Sequence, residues 1–442
     1  MEKSFLFNRV HLTGVGGISM SSIAKLLLLN GFEVSGSDIK RNEKIDELCD
    51  IGMRFFSGHS RNNVHDAELL IYNSAIKEDN EEIKQATEAG IPVFNRMEFL
   101  SLIADGFKTK VGIAGCHGKT TCTGMVATVL ECAEKNFYAH IGGDVIPFGN
   151  CLYTGNEIFL SEICEYKRNA DLFTADIAAV TNVGFDHPDC YKNKSEIAET
   201  YISFLKRAKT RIINSDDEIL HSIPLKYVSF GLKNGDITAE NIKETKEGVV
   251  FEIICDGKRY KTKLKVHGEY NVYNALCAFC ICKTLKVNEN TIIEGLEAFN
   301  GIKRRFEKTG TINGVPVICD YAHHPEEIKN CIRTAEGIYG KNIAVVFQPH
   351  TYSRTKALLN EFVNALNTCD TLCLYKTFPA RETFDREGEA AVISDRIPQS
   401  YYSDTEEELK KYLRKATEKV KLVLVLGAGD IYDIIKKTAK AN

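Results

Sequence analysis

Short apolar runs recur along the 442-residue chain, each followed by a turn and a segment whose apolar positions return every three or four residues. The stretch "RVHLTGVGGISMSSIAKLLLLNGFEVSGSD" shows the pattern first: strand, glycine turn, helix, strand, with Asp38 closing the second strand. Further strand candidates are "LLIYNSA", "KVGIAG", "IFLSEI", "IAAVTNV", "VPVICDYA", "IAVVFQP", "TLCLY" and "LVLVLGAG", mostly separated by helix-length segments. Strands alternating with helices predict an α/β class, with doubly wound parallel sheets covered by helices.

One stretch breaks the rhythm. "ITAENIKETKEGVVFEIICDGKRYKTKLKVHGEY" alternates apolar and polar residues around a "CDGK" turn, which predicts an antiparallel insert. The length prior allows three domains of ~150 residues each. Linkers are expected in "RMEFLSLIADGFKTK" near residue 106 and in "FNGIKRRFEKTGT" near residue 306, and the final "KKTAKAN" reads as a solvated tail. The expected domains are therefore 1–106, 107–306 and 307–442.

Composition adds little against this picture. Hydrophobic residues are 44% and charged residues 26%, the balance of a globular protein, and a net charge of -4 gives no argument for nucleic acid or an anionic membrane. The fifteen cysteines lie in apolar runs such as "CAFCIC", without paired CxxC clusters at zinc spacing, so buried reduced thiols in a cytoplasmic setting are expected. No secretory leader and no apolar stretch of the ~20 residues needed to span a bilayer is evident.

The chemistry concentrates in "VGIAGCHGKTTCTGMVATVL". Amides at a glycine turn opening a helix point outward with partial positive charge and suit polyphosphate. Lys119 adds a cation for transferring phosphoryl oxygens, and Thr120 or Thr121 a hydroxyl for magnesium. Gly115 stands three residues before Gly118 where the usual phosphate loop has five, and Cys116 and His117 fill the shape between. Downstream, "FLSEICEY" supplies Glu162 and Glu165, and "TNVGFDHPD" supplies Asn182, Asp186, His187 and Asp189, each after a strand. In a doubly wound sheet such groups gather beyond the carboxyl ends of the strands, where they can meet metal beside phosphate.

The ordered set "GVGGIS", "GCHGKTT", "SEICEY", "TNVGFDH", "YNVYNA", "RRFE", "DYAHHP" and "FQPHTYSRT" resembles the muramate-peptide ligase family over nearly the whole chain. The resemblance implies an N-terminal Rossmann-like domain holding a UDP-sugar, a central P-loop-type ATPase sheet with the antiparallel insert, and a C-terminal Rossmann-like domain. It also implies the reaction: ATP and Mg2+ drive L-alanine onto the lactyl carboxylate of UDP-N-acetylmuramate through an acyl phosphate, in a cytoplasmic monomer or weak homodimer. Lys119, Glu165 and His187 would be catalytic, with Thr120, Glu165 and His187 on magnesium. ATP would meet Gly115, Cys116, His117, Gly118, Lys119, Thr120, Thr121, Asn274, Arg305 and Asp320. The UDP-sugar would meet Gly14, Gly16, Gly17, Ile18, Ser19, Asp38, Ser74 and Arg96, and the amino acid Tyr321, His323, His350 and Arg354.

Three positions depart from the family pattern. "EICEY" replaces an "EADES"-type run, Tyr270 stands where a histidine usually precedes Asn271, and Thr351 stands where some relatives carry arginine. None removes an expected phosphate or metal contact. Alternatives remain a ligase attaching a whole peptide to the same UDP-sugar, an inactive nucleotide-binding regulator, and an NAD-dependent oxidoreductase read from the first glycine turn alone. The late turn with Gly427 and Gly429 is expected to serve strand-to-helix packing and not phosphate.

Overall fold

A computed structural model describes residues 7–73, 75–184 and 190–440. Among these residues the strands form three sheets. The first holds β1 (Arg9–Thr13), β2 (Glu33–Asp38), β3 (Arg54–Ser57), β4 (Leu69–Tyr72) and β5 (Val93–Asn95), in the order β3-β2-β1-β4-β5 and parallel throughout.

The second sheet holds β6 (Thr109–Ala114), β7 (Phe137–Val145), β8 (Gly149–Tyr153), β9 (Ile158–Glu162), β10 (Ile177–Val180), β11 (Thr210–Asn214), β12 (Val228–Gly231), β13 (Ile237–Thr245), β14 (Gly248–Cys255) and β15 (Lys258–Leu264). Their order is β15-β14-β13-β12-β11-β10-β6-β9-β7-β8, parallel from β12 to β7 with β8 antiparallel on β7. The two-residue links β13 to β14 and β14 to β15 are too short for a crossover, so the expected insert is antiparallel.

The third sheet holds β16 (Glu307–Ile312), β17 (Val315–Asp320), β18 (Ile343–Phe347), β19 (Thr371–Tyr375), β20 (Ser400–Ser403) and β21 (Leu422–Leu426), ordered β16-β17-β21-β18-β19-β20 with only β16 antiparallel. Every strand candidate from the apolar runs lies on a strand, because a parallel strand covered on both faces is apolar at nearly every position. β7 and β8 were not anticipated. "FYAHIGGDV" carries a histidine, two glycines and an aspartate that hide its pattern.

The chain divides into two compact units. One is Met1–Asn241, Phe251–Thr262 and Tyr270–Asn300, and the other is Ile242–Val250, Lys263–Glu269 and Gly301–Asn442. The segment expected to link near residue 106 begins as the helix Arg96–Ala104, whose Met97, Phe99, Leu100 and Ile103 are buried in one cluster with Leu12 and Ile71 of the first sheet and Tyr138 and Phe159 of the second. Within the segment expected as a solvated tail, Lys436, Lys437 and Lys440 are exposed; Lys436 to Thr438 close the helix Ile431–Thr438, and Lys440 exchanges backbone hydrogen bonds with Thr311 at 3.0 and 2.9 Å.

All fifteen cysteines are free thiols, and Cys277, Cys280 and Cys282 are buried in the helix Glu269–Thr284. No helix among the described residues is long and apolar enough to cross a membrane.

Two helical glycines give opposite expectations. A Cβ at Gly295, in the helix Glu289–Ala298, would stand 2.5 Å from Val129 Cα of the helix Lys119–Cys132, while one at Gly337, in the helix Pro325–Tyr339, would meet nothing within 4 Å. Gly295→Ala is expected to cost about 1–3 kcal/mol by overpacking. Gly337→Ala is expected to gain about 0.5–1 kcal/mol by reducing unfolded-state freedom. Urea titration of the two variants checks both signs.

Candidate active site

Parallel register brings β6, β9 and β10 to end side by side, with Ala114 opposite Val180 and Ile113 opposite Glu162. The turn 115–118 leaves β6 at that edge and opens the helix Lys119–Cys132. It fits because two of its residues lack side chains. Gly115 has φ +132° and its Cβ would fall 2.2 Å from Thr181 Oγ1; Gly118 has φ +84° and its Cβ would fall 2.3 Å from Asn274 Oδ1.

The residues after β10 lock the turn. His117 N donates to Asn182 Oδ1 at 2.9 Å, Asn182 Nδ2 donates back to His117 O at 3.0 Å, and Thr181 Oγ1 donates to the same carbonyl at 2.6 Å. Asn182, expected beside the metal-side acids, instead holds backbone. Cys116 is buried, with its sulfur 3.4 Å from His117 Nε2, and Thr121 is buried. Asn274 sits against Gly118 and donates to Asn271 at 3.0 Å.

Lys119 folds back over this turn. Its ammonium donates to Glu165 Oε2 at 3.0 Å and Oε1 at 3.1 Å and to Cys116 O at 3.2 Å, with Gly115 O as a further acceptor. Burial alone would lower the lysine's pKa, but the buried Glu165 carboxylate outweighs it and the value is raised, so the ammonium stays charged. Glu165 is 1% exposed, and Tyr191 OH donates to its backbone carbonyl at 2.6 Å.

Thr120 takes a different acid: its hydroxyl donates to Glu162 Oε2 at 2.7 Å. The structure therefore joins Lys119 with Glu165 and Thr120 with Glu162, two adjacent pairs of hydroxyl, carboxylate and ammonium groups beside a helix N-terminus. Among the described residues no cluster of three or more His, Cys, Asp or Glu side chains is placed to hold a metal ion. His187 and Ser74 lie outside the described residues.

The first glycine turn is held differently. Gly14 N and Val15 N both donate to Ser37 O, at 2.8 and 3.0 Å, and Gly16 N donates to the Asp38 carboxylate at 2.9 Å. Gly17 caps the helix Ile18–Leu29. On that helix Ser19 accepts from Arg96 Nη1 at 2.9 Å and lies 2.7 Å from His140 Nε2. Arg96 is placed by a capping box: Asn95 accepts from Glu98 N at 3.0 Å while the Glu98 carboxylate accepts from Asn95 N at 2.9 Å. Gly14, Gly16, Gly17, Ile18, Ser19, Asp38 and Arg96 thus gather at the carboxyl end of the first sheet.

Beneath that turn lies Glu82, fully buried. It accepts from Thr13 at the end of β1 at 2.8 Å, from Ser37 on β2 at 2.6 Å and from Asn63 at 2.7 Å, with His11 and His59 each 3.4 Å away. Burial pushes its carboxyl up, but His11, Ser37 and Asn63 outweigh that and hold it down at about 2. Sequence reading missed this residue, because a glutamate in "NEEIK" looks like an exposed helix acid.

On the other unit, Tyr321, His323, His350 and Arg354 do converge. The His323 ring is edge-on to Tyr321 at 5.4 Å and to His350 at 6.0 Å, and Arg354 Nη1 donates to His350 Nδ1 at 3.4 Å. Burial first, then the Arg354 charge, pushes His350 down to about 4, so it is neutral near pH 7. Two neighbours escaped the sequence reading. Phe378 stacks on His350 at 5.6 Å, and Arg304 lies 4.8 Å over the Tyr321 ring while donating to Gly429 O at 2.9 Å. Arg305 also lies over Tyr321, at 5.2 Å. Asp320 accepts from Phe306 N and Ala322 N, each at 2.7 Å, and burial raises its carboxyl against the pull of Arg305. Gly429 packs against Gln348 and Phe378, in line with a packing role for the late turn.

Residues 9–108 match the Mur ligase family catalytic domain, 113–282 the Mur ligase middle domain, and 304–429 the Mur ligase glutamate ligase domain. The UDP-N-acetylmuramate–L-alanine ligase of Clostridium tetani is 37% identical over 438 residues, covering 96% of each chain. This chain belongs to the Mur ligase family. The corresponding ligase of Clostridium perfringens is 37% identical over 440 residues, again with 96% of each chain covered. The solved UDP-N-acetylmuramate-alanine ligase of Thermotoga maritima superposes on this Mur ligase with a TM-score of 0.83 at 29% identity, covering 97% of this chain and 98% of that one. A murein peptide ligase from Psychrobacter arcticus shares the fold at a TM-score of 0.75 and 19% identity, over 97% and 98% of the two chains.

Glu82 yields a pH prediction. Its folded value lies below the ordinary 4.5, so its contribution is present above pH 4.5 and lost as the pH falls toward 2. The full contribution is on the order of 3 kcal/mol at 1.4 kcal/mol per unit. Urea unfolding of Glu82→Gln between pH 6 and pH 3 is expected to show a shallower loss of stability than the parent chain. An unchanged acid limb would remove Glu82 from this account.

Proposed function

We propose that this Mur ligase joins L-alanine to the lactyl carboxylate of UDP-N-acetylmuramate, driven by ATP through an acyl phosphate and releasing ADP and phosphate. The observation that carries the reading is the Lys119 ammonium held charged at the 115–118 turn, next to Glu165 and the Thr120 and Glu162 pair. Near-complete coverage by relatives named for this reaction supports it.

The turn's outward amides and the helix N-terminus receive the polyphosphate, while Lys119 exchanges carbonyl and carboxylate acceptors for phosphoryl oxygens. The Thr120 hydroxyl and the Glu162 and Glu165 carboxylates are hard oxygen donors, the type that Mg2+ prefers. When bound there, Mg2+ would supply neutralising charge to the γ-phosphoryl group. Lys119 stabilises negative charge as the sugar carboxylate attacks phosphorus, and a preorganised cation of this kind works best where water is excluded.

Ser19, Asp38 and Arg96 are the proposed contacts of the UDP-sugar. Arg354 is the proposed partner of the amino-acid carboxylate, since a guanidinium fork reads a carboxylate in two parallel bonds. The neutral His350 keeps Arg354 as the cation of that pair. The alanine amine then attacks the acyl phosphate carbon, and the tetrahedral adduct expels phosphate. The three functional segments proposed are 1–106 for the UDP-sugar, 107–306 for ATP and 307–442 for the amino acid.

Purified protein with ATP and Mg2+ is expected to release phosphate only when UDP-N-acetylmuramate and L-alanine are both present. Release without the sugar, or with a tripeptide in place of alanine, would overturn the reading. Lys119→Met is expected to lower kcat by about 10²–10³ while the fold persists by circular dichroism.

A further inference from the structure

We infer that His140 is a positioning residue of the sugar-nucleotide site, setting the direction of the Ser19 hydroxyl and, through it, of the Arg96 guanidinium. The inference rests on the ligase reading above, which puts Ser19 and Arg96 on the UDP-sugar.

His140 comes from β7, on the second sheet, and reaches the helix Ile18–Leu29 that follows the first glycine turn. It is 1% exposed. Nε2 lies 2.7 Å from Ser19 Oγ, and Nδ1 lies 3.1 Å from both Tyr138 OH and Ser22 Oγ, which are themselves 3.1 Å apart. Both ring nitrogens are engaged, so the ring cannot turn without breaking a bond on each side.

Burial, and then the Arg96 charge, push His140 down to about 3, so the ring is neutral and carries one proton. In this relay one of the two hydroxyls at Nδ1 donates to that nitrogen and the ring proton sits on Nε2. Nε2–H then donates to Ser19 Oγ, and Arg96 Nη1 donates to the same oxygen at 2.9 Å. With two donors on its oxygen, Ser19 has only its own hydrogen left to give. The hydroxyl becomes a donor beside a guanidinium, in the first turn of a helix where the dipole favours negative charge. The matching ligand group is an acceptor without a proton, as the diphosphate of a sugar nucleotide is.

The test uses the purified chain and titration calorimetry with UDP-N-acetylmuramate alone, alongside steady-state kinetics. His140→Gln can return an amide N–H near the Nε2 position, whereas His140→Asn reaches only the Nδ1 side and His140→Phe reaches neither. His140→Gln is expected to bind the UDP-sugar within about three-fold of the parent. His140→Asn and His140→Phe are expected to bind about ten-fold more weakly and to raise KM for the UDP-sugar equally, with kcat and the constants for ATP and alanine within about two-fold. Ser19→Ala combined with His140→Phe is expected to be no worse than the weaker single variant, since both remove one relay.

Asn150→Ala serves as a packing control, because Asn150 donates to Ile18 O at 2.5 Å and Ser21 Oγ at 2.9 Å, bonds separate from those joining Ser19, His140 and Arg96. It is expected to lower stability without a selective loss of UDP-sugar affinity. Equal affinity across all three His140 variants, or losses spread alike over every substrate, overturns the relay. Should His140→Phe fail to fold, the contrast between the Gln and Asn variants decides. A parent chain that binds the UDP-sugar but releases no phosphate condemns the ligase reading and leaves His140 to be judged by calorimetry; a parent that does not bind it overturns both.

Discussion

The closeness of backbone to backbone at the end of β6 is the constraint on which the rest of the active centre depends. With no Cβ at Gly115 or Gly118, the turn lies directly on Thr181, Asn182 and Asn274, and Thr181 and Asn182 fasten the His117 carbonyl and amide. A rigid turn fixes where the next helix begins, and that start fixes Lys119 over Glu165 and Thr120 over Glu162. Any side chain at either glycine would lift the turn, and the cation and the two acids would lose their common origin.

Three glycine turns of similar appearance perform different physical work. At 115–118 the turn presents a helix N-terminus and a cation. At 14–17 the amides of Gly14, Val15 and Gly16 are already occupied by Ser37 O and the Asp38 carboxylate, so the proposed recognition of the UDP-sugar falls to side chains at the rim. Ser19 and Arg96 are those side chains, and each is braced by groups from another element. At 427–429 the carbonyls accept from Arg304 and the glycines make room for Gln348 and Phe378, which is packing. Fold alone does not assign function to such turns; the groups that satisfy their amides do.

Burial governs the charge states around these turns, with different outcomes. Lys119 stays charged because the buried Glu165 carboxylate outweighs the cost of burial, while Glu82 keeps its charge because donors from several elements converge on it. His140 and His350 lie beside arginines and both are held neutral by burial, which at His350 outweighs the opposing pull of the Glu382 carboxylate. A neutral imidazole can still orient a hydroxyl or accept from a guanidinium, so these rings direct hydrogen bonds without adding charge.

The amino-acid order by itself determined the class of fold and the inventory of reactive groups. Parallel strands covered on both faces must be apolar along their length, and the glycine, lysine and threonine spacing of a phosphate turn is local. Short edge strands such as β3 and β5, and β7 with its histidine and glycines, carried no such pattern, so His140 stayed hidden until a sheet delivered it to Ser19. Which acid meets which partner was likewise beyond the order of residues: Glu162 and Glu165 stand three apart, and only the register of β9 against β6 put the first on Thr120 and the second on Lys119. Glu82 shows the same divide from the other side, since a helix glutamate is exposed or buried according to what packs on that face. Contacts between residues far apart in the chain are set by sheet order and packing, and those exist only once the whole chain has folded.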